Sequence, residues 1–165
     1  MAPNQMYPHN KRSFFTPQEK KDIGNGMELW RGIFQSVRPA IGRLVVTIDL
    51  TTAPMYKEGP LLRLCLDFIG NAQLRPQHLS PNHGLRHYDR LKLQKFLSGL
   101  KIISRTTGNK PRTIRRLSDQ GADSLQFDNP SGGTITVANY FTSIGMPLQY
   151  PSVICVQVSR LGLDL

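Results

Sequence analysis

The part of this sequence best suited to binding a charged ligand is a basic segment without carboxylates. Six Lys and Arg residues lie between positions 101 and 116, where Asp and Glu are absent. They are Lys101, Arg105, Lys110, Arg112, Arg115 and Arg116. Such a segment can neutralise phosphates and release counterions, which gives salt-dependent affinity for nucleic acid without sequence preference. The alternative is a solvated basic face, and we favour binding because aromatic residues follow.

These aromatic residues are Phe127, Tyr140, Phe141 and Tyr150. An exposed ring can stack on a base or ribose, and a tyrosine hydroxyl can donate to a phosphate oxygen. We expect Phe141 and Tyr150 to be packing residues, whereas Phe127 and Tyr140 fit either a packing or a binding role.

The sequence shows no pattern typical of a catalytic centre. Its 11 Asp and Glu residues have no paired metal-binding spacing, and phosphate-binding loops, nucleophile elbows and His-Glu-x-x-His helices are absent. His78, His83 and His87 are spaced so that they could coordinate a metal ion together, but their Pro-, Asn- and Gly-rich surroundings favour a solvated loop. Cys65 and Cys155 lie in separate apolar strings and are expected to be buried thiols. We therefore predict a binding protein that is not an enzyme and uses no cofactor.

Two amphipathic helices are predicted upstream of the basic segment. Pro60 suits a first helical position, and the apolar residues from Leu61 to Phe68 share one face before Gly70 ends the helix. A second helix is predicted from an N-cap at Asp89 to about residue 98. Residues 71–87 have no hydrophobic period and predict a loop.

Short segments with β propensity follow. They lie at residues 101–105, 113–117, 125–127, 134–136 and 153–158, with one helix at 137–143. This spacing predicts a small barrel with an appended hairpin. Near the start of the chain, the β-branched run at 44–50 predicts a buried strand, and residues 1–12 predict a mobile tail.

Composition agrees with a globular protein that binds a polyanion. The 165 residues are 39% hydrophobic and 19% charged, with a net charge of +10 and a pI near 10.1. These values favour one domain with an extension, and either nucleic acid or an anionic surface as partner. No segment approaches the roughly 20 apolar residues of a membrane-spanning helix, and the start has no signal-peptide core. We expect a soluble protein of the cytoplasm or the nucleus, without a membrane partner.

Two groups of residues, in the same order along the chain, resemble the Argonaute family. Residues 12–15, 28–32 and 35–39 look like the first linker region of these proteins. Residues 136–141, with their Tyr-Phe pair, and the apolar strand that ends at Gln157 and Val158 look like the end of the PAZ domain, which holds the 3′ end of a small RNA. A Dicer-type PAZ module is the less favoured alternative, because the linker signature belongs to Argonautes.

The resemblance implies an α+β fold with three parts. They are a disordered tail at 1–12, an Argonaute-type linker region at 13–58 and a PAZ domain at 59–165. In that family the PAZ domain is a small OB-like β-barrel with a β-hairpin and helix appended. Because the family continues through a further strand, we expect a PAZ domain that is incomplete at its C-terminus.

The resemblance also assigns roles to single residues. Arg112 corresponds to the family's hairpin arginine, Phe127 to the ring that packs on the terminal nucleotide, and Tyr140 to a tyrosine that bonds the terminal phosphate. Ile114 replaces a family tyrosine, residues 106–107 lack a family histidine, and residues 143–145 lack a further tyrosine.

The implied function is an RNA-binding module that accepts the 3′ end of a single-stranded guide RNA or a short 3′ overhang. The alternative is a degenerate scaffold that binds no RNA and contacts other RNA-silencing components. The expected RNA-binding set comprises Arg105, Lys110, Arg112, Arg115, Arg116, Phe127 and Tyr140.

Overall fold

The computed structural model describes residues 5–70, 75–104, 110–129 and 132–159. The chain divides into two compact units, Met1–Pro60 and Leu61–Leu165. None of the helices in these described ranges is long and apolar enough to cross a membrane.

The first unit is an antiparallel sheet of four strands in chain order. The strands are β1 (Tyr7–Pro8), β2 (Ser13–Gly24), β3 (Met27–Ala40) and β4 (Arg43–Tyr56). Asn25 and Gly26 join β2 to β3 with positive φ at both positions, as a two-residue hairpin turn of matching twist requires. The mobile tail predicted for residues 1–12 is wrong at Tyr7 and Pro8, because their backbone pairs with Phe14 and Phe15 of β2.

One close backbone approach fixes the centre of this sheet. Phe15 is buried and lies against Gly32 on β3. A Cβ at Gly32 would collide with the Phe14 carbonyl oxygen and the Phe15 ring, so only glycine fits.

The buried strand predicted at 44–50 is exposed. Leu44 is 72% exposed and Leu50 is 91% exposed. The β-branched run does form a strand, but β4 lies at the edge of the sheet, and the described part of the first unit contains no helix to cover it. Strand propensity is local, whereas burial needs a second layer.

The second unit begins with helices. Helix α1 (Leu61–Ile69) follows Pro60 and ends before Gly70, as predicted, and Leu64 and Cys65 are its buried residues. A 3₁₀ helix (Pro76–Leu79) and α2 (His87–Leu97) come next. Asp89 lies in the first turn of α2 rather than at its N-cap, which is Arg86, so the predicted N-cap was three residues late.

The segment predicted as a loop at 71–87 contributes to the core. Its described part, from residue 75, includes Leu79, Ser80 and Leu85, all buried. The two leucines join a hydrophobic cluster that also contains Leu93 and Leu97 of α2. A 3₁₀ turn can bury single leucines without any helical period, so periodicity could not reveal them.

Strands and one short helix complete the second unit. Strands β5 (Lys101–Ile103), β6 (Pro111–Gly121) and β9 (Ile154–Val158) form an antiparallel sheet in the order β5-β6-β9. Strands β7 (Gln126–Asp128) and β8 (Thr134–Thr136) form a hairpin, followed by α3 (Val137–Ser143). The Thr136 hydroxyl caps α3 by accepting the Asn139 N–H at 3.2 Å.

The α+β class and the appended hairpin and helix are therefore as predicted. The described strands of the second unit pair as an open three-stranded sheet and a separate hairpin, without closing a barrel.

Candidate nucleic-acid interface

A β-bulge decides where the arginines of β6 lie. Ile114 pairs with Val158 and Arg116 pairs with Gln157, so Arg115 is the extra residue of the bulge. Ile114 and Leu117 consequently both reach the core, at 1% and 4% exposure, although they are three residues apart. The bulge leaves the adjacent Arg115 and Arg116 both exposed, whereas strict alternation would turn one of them inward.

A cross-strand hydrogen bond orients Arg116. Its Nε donates to Oε1 of Gln157, the residue opposite it on β9. On the neighbouring helix α2, Gln94 accepts the Leu117 N–H at 3.1 Å. These bonds hold α2, β6 and β9 together beside the arginine.

The appended hairpin and α3 bring two predicted aromatic residues together. The rings of Phe127 on β7 and Tyr140 on α3 meet edge to face, with centroids 5.5 Å apart and planes at 77°. Tyr140 also meets Phe141 at 5.8 Å and 83°. Phe127 remains 36% exposed. Edge-to-face contact therefore steadies the Phe127 ring while leaving part of it open to solvent.

A first cleft of about 730 Å³ lies between this hairpin and the α2/β6/β9 body. Phe127 of β7, Arg90 of α2 and Arg116 of β6 all line it. Asp119 is the one carboxylate among the described residues that line it. A cleft lined by an aromatic ring and two guanidinium groups is suited to a nucleotide, whose base can stack while its phosphate pairs with arginine.

A second cleft of about 550 Å³ contains Arg112. Phe141 and Tyr150, predicted as packing residues, are half-buried in its lining. The Arg112 Nε is buried and has no hydrogen-bond partner among the described residues, an arrangement that is costly for a charged donor. Val137, Cys155 and Val156 line both clefts and so form a shared wall.

The predicted site residues thus fall into three groups. Phe127 and Tyr140 touch, and Arg116 shares the first cleft with Phe127, whereas Arg112 opens into the second cleft beside Phe141. Lys110 and Arg115 are exposed and line neither cleft. Arg105 lies outside the described residues, as do Thr106 and Thr107.

Two features of the site were not evident from sequence. Arg90 precedes Arg116 by 26 residues, and only the packing of α2 on β6 brings both to one cleft. Ile114, which was interpreted as a lost phosphate-binding tyrosine, is a core residue that lines neither cleft. The bulge beside it explains both its burial and the exposure of Arg115.

The described Lys and Arg residues of the second unit are not paired with neighbouring carboxylates. Its described residues include eleven Lys and Arg against five Asp and Glu, and no ion pair forms among them. In the first unit, by contrast, Lys20 pairs with Glu28 at 3.0 Å and Lys57 pairs with Asp22 at 2.6 Å. Unpaired cations produce a positive potential that attracts polyanions.

The two cysteines are buried or half-buried, and His78 belongs to the cap of a helix. Burial raises the pKa of the Cys65 thiol to about 12, and it also raises the pKa of the half-buried Cys155. The Nδ1 of His78 accepts the Arg75 N–H at 2.9 Å, within the cap of the 3₁₀ helix. Across the described ranges, no three His, Cys, Asp or Glu side chains form a group that could hold a metal ion.

Comparison with known sequences identifies relatives. Residues 10–57 match the family model of the Argonaute linker 1 domain. Protein argonaute 1D of Oryza sativa subsp. japonica is 31% identical over 96% of this chain, and Protein argonaute 1C of the same plant is 32% identical over 97%. The chain spans only 15% and 16% of the length of these two curated relatives.

Comparison with solved structures also finds matches. An Argonaute from Kluyveromyces polysporus, crystallised with a guide RNA, covers 96% of this chain with a TM-score of 0.53 and 14% identity, and this chain covers 20% of it. The Drosophila Argonaute2 PAZ domain is 28% identical and has a TM-score of 0.39. The match extends over 50% of this chain and 73% of that PAZ domain chain. From the linker match and the relatives that align along almost its whole length, we conclude that this chain belongs to the Argonaute family.

Proposed function

We propose that the second unit is a PAZ-type module that accepts the 3′ end of a small single-stranded guide RNA or of a short 3′ overhang. The observation that carries the proposal is the Phe127–Tyr140 ring pair, whose Phe127 lines the first cleft together with Arg90 and Arg116. Family membership supports the ligand class, since the Kluyveromyces Argonaute of similar fold is described with a guide RNA.

In this proposal the terminal nucleotide enters the first cleft. Its base or ribose stacks on the open part of Phe127, a contact that contributes about 1–3 kcal/mol per base. The Tyr140 hydroxyl donates to a phosphate oxygen, and Arg116 and Arg90 neutralise the adjacent phosphates. Arg115, exposed beside Arg116, adds attraction that does not depend on sequence.

The module holds RNA and performs no chemistry on it. The matched region is the linker and the segment that follows it, and the resemblance places the strand-cleaving carboxylates of Argonautes in a different domain. We place the protein in the cytoplasm or nucleus, with other RNA-silencing components as further partners.

One observation favours a second function. Arg112 opens into a different cleft from Phe127, so the two groups that the family resemblance assigns to the RNA terminus do not share one cleft. A scaffold that has lost RNA binding and contacts other silencing components would account for this separation.

Fluorescence anisotropy with a short labelled RNA separates these functions. We expect binding at low salt that weakens steeply as salt rises, and weaker binding when the 3′ hydroxyl is replaced by a 3′ phosphate. A circular RNA of the same sequence is the matched control, because it retains the phosphates but has no terminus. Absence of binding at low salt would support the scaffold, and equal affinity for all three RNAs would refute recognition of the end.

A further inference from the structure

The outer edge of β4 is open and unprotected. β4 pairs only with β3, and no described strand lies on its other side. The pairing with β3 is continuous from Met27 opposite Tyr56 to Ala40 opposite Arg43, without a bulge. Residues 43–50 contain neither lysine nor proline, two residue types with which proteins commonly protect exposed edges. This edge therefore presents a regular row of backbone donors and acceptors to another strand.

One face of the same edge is apolar. Leu44, Val46, Ile48 and Leu50 alternate along β4, and each is at least 60% exposed. Pairing with β3 extends this face, because Val37 lies opposite Val46 and is itself 62% exposed. An exposed apolar face of this kind on a soluble domain commonly marks an interaction surface.

The charges of β4 make the edge complementary to itself. Arg43 and Asp49 lie three residues to either side of Val46, on the face opposite the apolar one. If two β4 strands pair antiparallel with Val46 opposite Val46, each Arg43 lies opposite Asp49 of the other copy. The same register places each Leu44 opposite Ile48 of the other copy.

Other registers lack this complementarity. A shift by one or two residues in either direction places Arg43 opposite an uncharged side chain. A parallel, in-register pair would place Arg43 beside Arg43 and Asp49 beside Asp49. Opposite charges directly across a strand pair stabilise it and like charges destabilise it, so the Val46-centred antiparallel register is selected.

We propose that β4 is a self-association edge, on which a second copy of this chain docks about a two-fold axis at Val46. The product is a continuous antiparallel sheet in the strand order β1-β2-β3-β4 of one copy followed by β4-β3-β2-β1 of the other, with the apolar faces of both copies on one side. Such an interface uses the same patch on each copy and closes at two chains. It does not depend on RNA or on the second unit.

Sedimentation velocity of the full chain over a range of concentrations, without RNA, tests the proposal through charge reversal. Arg43→Glu alone, or Asp49→Lys alone, places like charges opposite each other at both ends of the interface. Each is expected to weaken dimerisation by about tenfold or more. The double variant Arg43→Glu/Asp49→Lys recreates both pairs with reversed sign and should return to the wild-type association constant. Both side chains are exposed, so neither change should impair folding.

Arg38→Glu is the matched control. Arg38 is exposed on β3 of the same hairpin and undergoes the same change of charge, but it lies one strand away from the edge. It should change the association constant by less than about twofold. A wild-type chain that stays monomeric, or a double variant that fails to recover, would overturn the proposal. Assemblies larger than a dimer that form equally in the wild type and in all of these variants would overturn it as well.

Discussion

Truncation of Phe127 is the sharpest test of how the first cleft binds RNA. The Phe127→Ala substitution removes the ring that lines the first cleft with Arg90 and Arg116, while every cation stays in place. The substitution should therefore weaken RNA binding without changing its dependence on salt, because stacking releases no counterions.

The size of the effect follows from the surroundings of the ring. A base stacked on an aromatic side chain contributes about 1–3 kcal/mol, which corresponds to a loss of roughly 5- to 150-fold in affinity. The protein itself loses the edge-to-face contact with Tyr140, about 0.5–1.5 kcal/mol, and in addition the burial of the covered part of the ring, which is smaller than for a core phenylalanine because Phe127 is 36% exposed. Stability and affinity must therefore be measured separately for this variant.

Anisotropy titrations at several salt concentrations, with a circular dichroism melt of each variant, measure both quantities. Tyr88→Ala is the matched control, because Tyr88 is an exposed ring on α2 that contacts Lys92 and lines neither cleft. It should leave affinity unchanged. If Phe127→Ala binds RNA as tightly as the wild type while remaining folded, the ring does not stack on RNA and our assignment of the first cleft is incorrect.

Two further outcomes are expected. Arg116→Gln should reduce the slope of log affinity against log salt by about 0.7, which is the contribution of one phosphate contact on single-stranded nucleic acid. Arg63→Gln, on the exposed face of α1, is the control and should leave the slope unaltered. Equal slopes in both variants would exclude Arg116 from the interface. Burial raises the pKa of Cys65 from 9.0 to about 12, so the folded state holds the thiol proton more tightly than the unfolded state does. The stability that this thiol contributes is therefore complete below pH 9 and is lost as the pH rises towards 12. Denaturant titrations should show a smaller loss over this pH range for Cys65→Val, and an identical loss in both proteins would contradict the burial of the thiol.

Much of the local structure of the second unit could be predicted from the sequence. The apolar spacing from Leu61 to Phe68, between Pro60 and Gly70, defined α1, and residues 137–143 were correctly predicted as α3. These elements depend on residues within a few positions of each other, and that information is present in the chain itself. The Argonaute relationship also followed from sequence, because short motifs in a fixed order carry it.

The candidate site was only partly predictable. Phe127 and Tyr140 were selected from the sequence and do meet, since a short hairpin and the helix that directly follows it connect them. Arg90 was missed because only the packing of α2 on β6 brings it to the cleft of Arg116, which is far from it in sequence. Arg112 was grouped with Phe127 and Tyr140, but it lines the second cleft, whereas Phe127 lines the first and Tyr140 lines neither.

The sequence by itself determined the amphipathic helix faces, the excess of cations and the family. Only the tertiary structure decided that β4 is exposed, that Leu79 and Leu85 are buried, and that a bulge at Arg115 leaves two arginines in solvent. The physical reason is that the periodicity of an element depends on neighbouring residues, whereas burial depends on which other layer covers it. The strand at 44–50 shows the difference, because its residue types specify the extended backbone and leave open what, if anything, packs against it.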